Sequence, residues 1–344
     1  MDATAIVPVG LDLAKNVFQL HWVEPDTGEV RNMRVKRPKL LEHFANRHAC
    51  RVGMEACAGA QYWARELLKL GHEVVVFPAK AVKGFVTGNK SDAIDACAIW
   101  KAVRDGTIRP VALKTEAQQA VLALHRMRQQ LVKIRTMQIN ELRGLLTEYG
   151  EVFGRGRAAL ARGIAAALER LDARLPRVVI DTLLAQWQRV GQLDEQVDQI
   201  EARLKSLYKH DARAQRIAQV PGVGLLSATA VTAAMGDAAA FRSGREFAAW
   251  LGLVPAHTGS GGKTRMLGMS KRGDTYLRTL LIHGARSVLT HTKHPNAWVQ
   301  ELSRRRPTNV VVVAMANKTA RTIWAMLRYE RDYAPDWHAK ASGQ

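Results

Sequence analysis

Two carboxylates three residues apart, Asp92 and Asp95 in GNKSDAIDACAI (88–99), are the first residues whose chemistry asks for a reason. At that spacing they share one helical face, where like charges repel unless something positive lies between them. Two more acids close apolar runs: Asp12 in VGLDLAK and Glu55 in GMEACAG. If those runs are strands, and Ser91 caps a helix after the last strand, all four carboxylates gather at one sheet edge, where strand ends meet helix starts. A cluster of this kind suits a hard divalent cation. Mg²⁺, or Mn²⁺ in its place, takes carboxylate oxygens together with substrate phosphate, and paired ions suit phosphoryl transfer. Asp12, Glu55, Asp92 and Asp95 are thus candidate catalytic residues and candidate metal ligands. Taken singly, each has a plainer reading as a turn residue or as a partner of a helix dipole.

A second set lies in HTGSGGKTRMLGMSKRGDTYLR (257–278), which mixes Gly259, Gly261 and Gly262 with Lys263, Arg265, Lys271, Arg272 and Arg278. Glycines let a backbone approach phosphates closely and the cations supply charge; a solvated surface loop is the other reading. It is not a P-loop, because the first glycine of G-x-x-x-x-G-K-[ST] would fall at His257. VPGVGLLSATAV (220–231) reads as a helix-hairpin-helix turn in which the amides of Gly222 and Gly224 meet a phosphate, or as two glycines capping packed helices.

The elements that must position these residues follow from periodicity. IVPVGLDLA, VFQLHWVE, VRNMRVKR, RVGMEACAG and HEVVVFP read as strands; YWARELLKLG and SDAIDACAIWKAVRDG read as helices stopped by Gly71 and Gly106. Strands followed by alternating strand and helix imply a mixed α/β sheet. From about Thr115 the pattern becomes long helix, then a Gly/Arg-rich stretch (150–163), then a second helix beyond Pro176. Leu183, Trp187, Val190, Leu193, Val197, Ile200, Leu204 and Leu207 keep the three-four spacing of a coiled coil, either an intramolecular hairpin or a dimer seam. The rest is mostly helical around the glycine loop. The expected domains are 1–112, 113–211 and 212–344.

Composition bounds the partners. The 344 residues carry 51 Lys+Arg against 31 Asp+Glu, a net charge of +20, which points to a polyanion, nucleic acid above all. Cys50, Cys57 and Cys97 form neither a disulfide framework nor a zinc pattern, and His291 with His294 reads as a surface pair. No leader is read at the N-terminus, and VVVVAMA (310–316) is too short to span a bilayer. A cytoplasmic, nucleoid-associated protein without a membrane partner is expected.

The order Asp12, Glu55, Asp92-x-x-Asp95 resembles the DEDD set of a RuvC-like, ribonuclease-H-type nuclease domain. GNKSDAIDACAI in particular is similar to the DEDD insertion-sequence transposases, insertion-sequence family one-ten. Their C-terminal domain has Gly-Leu-x-Pro, four residues, Ser-Gly, Ser/Thr-Lys-x-Gly and Leu-Arg, which GLVPAHTGSGGKTRMLGMSKRGDTYLR (252–278) resembles. The likeness covers nearly the whole chain. It implies an α/β RuvC-like mixed-sheet domain, a helical coiled-coil hairpin and a mostly α C-terminal transposase domain. It implies a DNA transposase in which Ser260 attacks a phosphodiester with Mg²⁺ at the DEDD cluster. Ser270, where the family also accepts Thr, is the rival serine. It further implies a bridge RNA that pairs with donor and target DNA, and a homo-oligomer, dimer to tetramer, whose active sites combine protomers. Two other readings stay open: a metal-dependent nuclease or Holliday-junction resolvase that uses water, and a non-catalytic RNA-binding protein with a degenerate nuclease fold, which the presence of all four acids disfavours.

Overall fold

The structure, a computed structural model, describes residues 6–89, 91–260 and 263–335. It divides into two compact units, Met1–Thr115 and Glu116–Gln344.

In the first unit β1 (Val7–Asp12), β2 (Val17–Val23) and β3 (Val30–Lys36) form an antiparallel meander, followed by a short α1 (Leu40–Ala45). β4 (Cys50–Glu55), α2 (Ala60–Lys69) and β5 (Glu73–Phe77) extend the sheet in parallel to the order β3-β2-β1-β4-β5. A one-turn α3 (Ala79–Val82) then leads to α4 (Asp92–Asp105). The sheet buries two cores. Val9, Leu11, Phe18, Leu20, Val52 and Met54 pack with Leu40, Phe44 and Leu67 from α1 and α2, whereas Phe77 packs with Ile99, Ala102 and Val103 of α4. This is the mixed α/β sheet that strand-like and helix-like patterns predict.

Among the described residues the second unit is helical apart from one hairpin. α5 (Glu116–Glu148), α6 (Arg157–Asp172) and α7 (Arg177–Tyr208) share a core of Ile139, Leu142, Leu146, Leu160, Ile164, Leu183 and Val190. Of the heptad-like stripe, Leu183, Val190, Leu193, Val197, Ile200 and Leu204 are buried within the chain, whereas Leu207 is 44% exposed. Ion pairs Arg128–Glu201 and Arg135–Asp194, each at 2.6 Å, run α5 antiparallel to α7. The Gly/Arg-rich stretch 150–163 contains the start of a further helix before Pro176: α6 begins at Arg157. Gly163 sits inside it because a Cβ there would stand 2.9 Å from the Phe153 ring.

The remainder comprises α8 (Ala212–Ile217), α9 (Leu225–Met235), α10 (Gly244–Trp250), β6 (Pro255–Ser260), β7 (Lys263–Met269), α11 (Thr275–His291), α12 (Ala297–Arg305) and α13 (Thr308–Arg328). α13 is long and apolar enough to cross a membrane. It nevertheless seats Val311, Val312, Ala316, Ala320 and Ile323 in a core shared with α9, α10 and α11, as a central core helix does.

Candidate functional site

The acidic edge is built by backbone contact. β1 and β4 are parallel neighbours in which Gly10 pairs with Gly53 and Leu11 with Met54. The next residue of each strand is an acid, Asp12 or Glu55. Side chains alternate faces along a strand, so each acid shares a face with the glycine two positions before it. That face carries α4. A Cβ on Gly10 would lie 2.1 Å from the Ala96 carbonyl oxygen, and one on Gly53 would lie 2.2 Å from Val103 Cγ2. The helix can therefore lie directly on the strands and bring its first turn over their carboxyl ends. Ser91 fixes that turn, its Oγ accepting from the Ile94 amide at 3.3 Å. Asp92 is exposed; Asp12, Glu55 and Asp95 are half-buried.

Electrostatics tie the four acids together. The Asp12 carboxyl is raised from 3.8 to about 6, first by burial, then by the charges of Asp95, Asp92 and Glu55, against a lowering bond from the Leu13 amide. Among the described residues no three of the acids close into a finished metal cage. The donor set still fits a hard divalent cation: only oxygen donors, and an excess of negative charge that one of the four cannot comfortably carry. Cys57, two residues beyond Glu55, is exposed, and its thiol is raised by burial and then by Glu55 and Asp12.

The turn after Asp12 is held as well. Arg37 donates from Nε to the Lys15 carbonyl at 2.6 Å and from Nη2 to the Ala14 carbonyl at 3.2 Å. Its guanidinium also lies against the rings of Phe18 and Trp63, at 5.1 and 5.4 Å.

In the second unit, the glycine-rich loop expected from sequence is a β-hairpin. β6 and β7 pair antiparallel, His257 with Met266, Thr258 with Arg265, Gly259 with Thr264 and Ser260 with Lys263. Ser260 is the last residue of β6, at the tip; Gly261, Gly262 and the side chain of Ser260 lie outside the described residues. Ser270 lies at the base. Its amide donates to the Val254 carbonyl at 2.8 Å, and its Oγ is buried without a hydrogen-bond partner among the described residues.

Lys263, Arg265, Lys271 and Arg272 are exposed, and Lys271 adopts a left-handed φ of 53°. Arg278 departs from the expected phosphate-contacting set. It is 7% exposed; its Nη1 donates to the Leu251 and Arg272 carbonyls at 3.1 and 3.3 Å, and its Nη2 to Thr275 Oγ1 at 3.1 Å. Those donors hold the hairpin base. The base is also closed by two glycines: a Cβ on Gly252 would sit 1.9 Å from the Arg272 carbonyl oxygen, and one on Gly273 1.8 Å from that of Trp250.

At the 220–224 turn Gly222 has a packing reason for its identity. With φ +85° it lies against Gly284 of α11, whose carbonyl oxygen would be 2.7 Å from an added Cβ. Gly224 is the N-cap residue of α9, at φ −87°.

Sequence reasoning passed over His125. It is buried in α5, with Nδ1 2.9 Å from Tyr276 Oη and Nε2 3.0 Å from Thr229 Oγ1. Burial, and then Arg128, lowers its pKa to about 4, so the ring is neutral and links α5, α9 and α11. A histidine on an otherwise mixed helix face gives no such signal. Gly10 and Gly53 do leave one: VGLD and VGME repeat Val-Gly-x-acid at 9–12 and 52–55.

Residues 9–151 match the family model for DEDD transposases of the IS110 type, and residues 214–300 that of the Transposase IS116/IS110/IS902 family. The chain is 45% identical over 332 residues to a probable family 20 transposase of Pseudomonas aeruginosa, covering 95% of this chain and 98% of the relative. It is 39% identical to the transposase for an insertion sequence element of Coxiella burnetii, IS1111A, covering 94% and 90%. It is 37% identical to the transposase for insertion sequence element IS1328 of Yersinia enterocolitica, covering 92% and 96%.

Proposed function

Given that the chain belongs to the IS110 family of insertion-sequence transposases, and so acts on DNA by phosphoryl transfer, we propose that its chemistry is divided between the acidic edge and the hairpin tip. Asp12, Glu55, Asp92 and Asp95 form a RuvC-like centre that takes Mg²⁺ or Mn²⁺, and Ser260 is the nucleophile. The carrying observation is the Asp12 carboxyl, raised to about 6 by burial and by the three other acids. Bound there, a divalent cation supplies charge neutralisation and Lewis acidity at a phosphate. Asp12, Glu55, Asp92 and Asp95 are the residues that would hold the cation.

Ser260 Oγ loses its proton and bonds to phosphorus, the bond from phosphorus to the leaving deoxyribose oxygen breaks, and that oxygen takes up a proton. Phosphodiester energy is thereby kept in a phosphoserine link for rejoining. A serine hydroxyl is a weak nucleophile until activated, and the acidic centre is the activator in this reading. The tip position of Ser260, against the buried Oγ of Ser270, supports the choice of serine. Lys263, Arg265, Lys271 and Arg272 are exposed cations placed to meet the DNA backbone.

The same reading assigns a RuvC-like domain to 1–112, a helical arm to 113–211 and the serine domain to 212–344. It includes a bridge RNA that pairs with donor and target DNA, and an oligomer, dimer to tetramer, that completes the sites in a nucleoid-associated complex.

Denaturing electrophoresis of labelled DNA, incubated with protein, RNA and Mg²⁺, tests it with and without protease. Wild type should leave a protease-sensitive adduct, absent in Ser260→Ala and retained in Ser270→Ala, and Asp92→Asn should abolish cleavage. Efficient cleavage by Ser260→Ala with no adduct in any variant would instead establish hydrolysis by water.

A further inference from the structure

The start of α9 borders a cavity that none of the roles above uses. It holds about 830 Å³, the size of a small-ligand site. Val220, Pro221, Leu225, Leu226 and Leu280 give it apolar walls, while Lys205 and His283 line it as exposed residues. The carboxylate that lines it, Glu201, is paired with Arg128 at 2.6 Å. Two polar features of the lining lack partners. Gly224 puts no side-chain cap on α9, so the amides of Leu225, Leu226 and Ser227 have no acceptor within the helix. Ser227 is 6% exposed and lines the cavity, and its hydroxyl makes no hydrogen bond among the described residues. A buried hydroxyl beside open amides asks for an acceptor from outside.

These pieces are held in place before any ligand arrives. Gly222 sits on Gly284 of α11, whose carbonyl oxygen an added Cβ would meet at 2.7 Å. The Val223 amide donates to the Val220 carbonyl at 2.9 Å. Thr229 Oγ1 donates to the Leu225 carbonyl at 2.8 Å and lies 3.0 Å from His125 Nε2. A fixed helix start with free amides suits an anion, and the walls beside it suit an apolar or aromatic body. One ligand has to bring both. In an intact duplex the bases are stacked inside, so a paired strand would meet the amides alone and leave the walls empty. A nucleotide turned out of the stack presents its phosphate and its base together, and apolar side chains can pack on that base.

We propose that this cavity takes a single unpaired nucleotide of the DNA, its phosphate on the α9 amides and the Ser227 hydroxyl and its base against Pro221, Leu225 and Leu280. Such a site recognises an interruption of the duplex rather than the duplex itself. The inference rests on the chain acting on DNA; it needs neither the acidic centre nor the choice of Ser260.

The test is equilibrium binding of the full chain to labelled DNA at fixed KCl, without divalent ions so that no strand is cut. An uninterrupted duplex is compared with the same duplex carrying one extra unpaired nucleotide, and with a third in which that extra residue is abasic. The unpaired nucleotide is expected to tighten binding about tenfold, and removal of its base to cancel most of the gain. Ala202→Trp, at an exposed position of α7 that lines the cavity, should fill the space and erase the gain while leaving the uninterrupted duplex bound as before. Ser227→Ala should weaken binding of the bulged duplex about fivefold, with an unchanged melting temperature because its hydroxyl has no partner to lose. Equal affinity for the three DNAs, or a gain that survives Ala202→Trp, would overturn the proposal. A gain seen only with RNA of the same form would overturn the assignment to DNA, and thymidine monophosphate binding as tightly as the bulged duplex would overturn the assignment to a strand. Since nothing is cut, none of these results bears on the acidic centre or Ser260, whose test is the protein–DNA adduct.

Discussion

Replacing Asp12 by Asn should stabilise the first unit in the absence of divalent ions. The folded Asp12 keeps its proton up to about pH 6, whereas an ordinary carboxyl releases it at 3.8. Between those values the folded state binds more protons than the unfolded one, so stability falls as pH rises, and the penalty is complete above about 6. A shift of roughly two units corresponds at most to about 3 kcal/mol. The carboxyl is half-buried, and solvent screening leaves roughly 1–2 kcal/mol. Asparagine keeps the shape and an acceptor oxygen for the Leu13 amide while removing the charge. Amide hydrogen exchange of β1 and β4, compared between variant and wild type at equal pH, measures the difference in that unit directly. The variant should gain protection at pH 7.5, with the gain shrinking as pH approaches 4. Added Mg²⁺ should protect the wild type and close the gap. Faster exchange in Asp12→Asn at pH 7.5 without Mg²⁺, or an advantage independent of pH, would refute the account of the acidic edge.

Gly53→Ala should cost roughly 1–3 kcal/mol in the same exchange measurement, because its Cβ would collide with Val103 and push α4 off the sheet; Gly71→Ala, with nothing within 4 Å, should cost only its left-handed φ strain. Arg278→Met should lower the melting temperature through its lost carbonyl bonds, whereas Arg272→Gln should leave stability intact and flatten the salt dependence of DNA binding by about 0.9. Since His125 is lowered to about 4 from 6.5, the second unit should lose stability as pH falls below 6.5, by up to about 3 kcal/mol near pH 4, and His125→Gln should remove that part of the pH dependence in denaturant titrations. Cys57 should be alkylated faster by iodoacetamide when Mg²⁺ is present, because neutralising Glu55 and Asp12 lowers its thiol pKa; a mass-spectrometric time course reads the rate.

How much of this was legible in the sequence depends on where each residue buries its side chain. The strands of the sheet announce themselves because Val9, Leu11, Val52 and Met54 alternate with residues of the other face. The acids at their ends follow from the same pattern. The β6–β7 hairpin does not, because its side chains are mostly exposed: PAHTGS has no apolar alternation, and Met266 and Leu267 of β7 are 64% and 44% exposed. Glycine and charge there look like a loop. Arg278 misleads in the opposite sense, since its charge suggests a solvent-facing ligand while its donors satisfy carbonyls left open at the turn. α6 carries a readable stripe in Leu160, Ile164, Leu168 and Leu171, yet Gly154, Gly156 and Gly163 disguise its start. The close approach of α4 to Gly10 and Gly53 is a tertiary fact, visible beforehand only as the repeated Val-Gly-x-acid.

The closure of the hairpin base has a mechanical consequence. From Pro255 to Ser260 the strand extends about 17 Å, and it carries Ser260 at its far end, paired with Lys263 of β7. The angle of the lever is set where Gly252 meets the Arg272 backbone and Gly273 meets that of Trp250. A tilt of about 10° at this fulcrum would carry the tip through roughly 3 Å, by the length of the strand alone. With Ser260 as the proposed nucleophile, a displacement of about 1 Å at the tip is expected to cost about two orders of magnitude in rate. Backbone contacts far from the serine, at 250–252 and 272–273, therefore set the position of the tip, and the hairpin's reach can be tuned without altering a residue at its end.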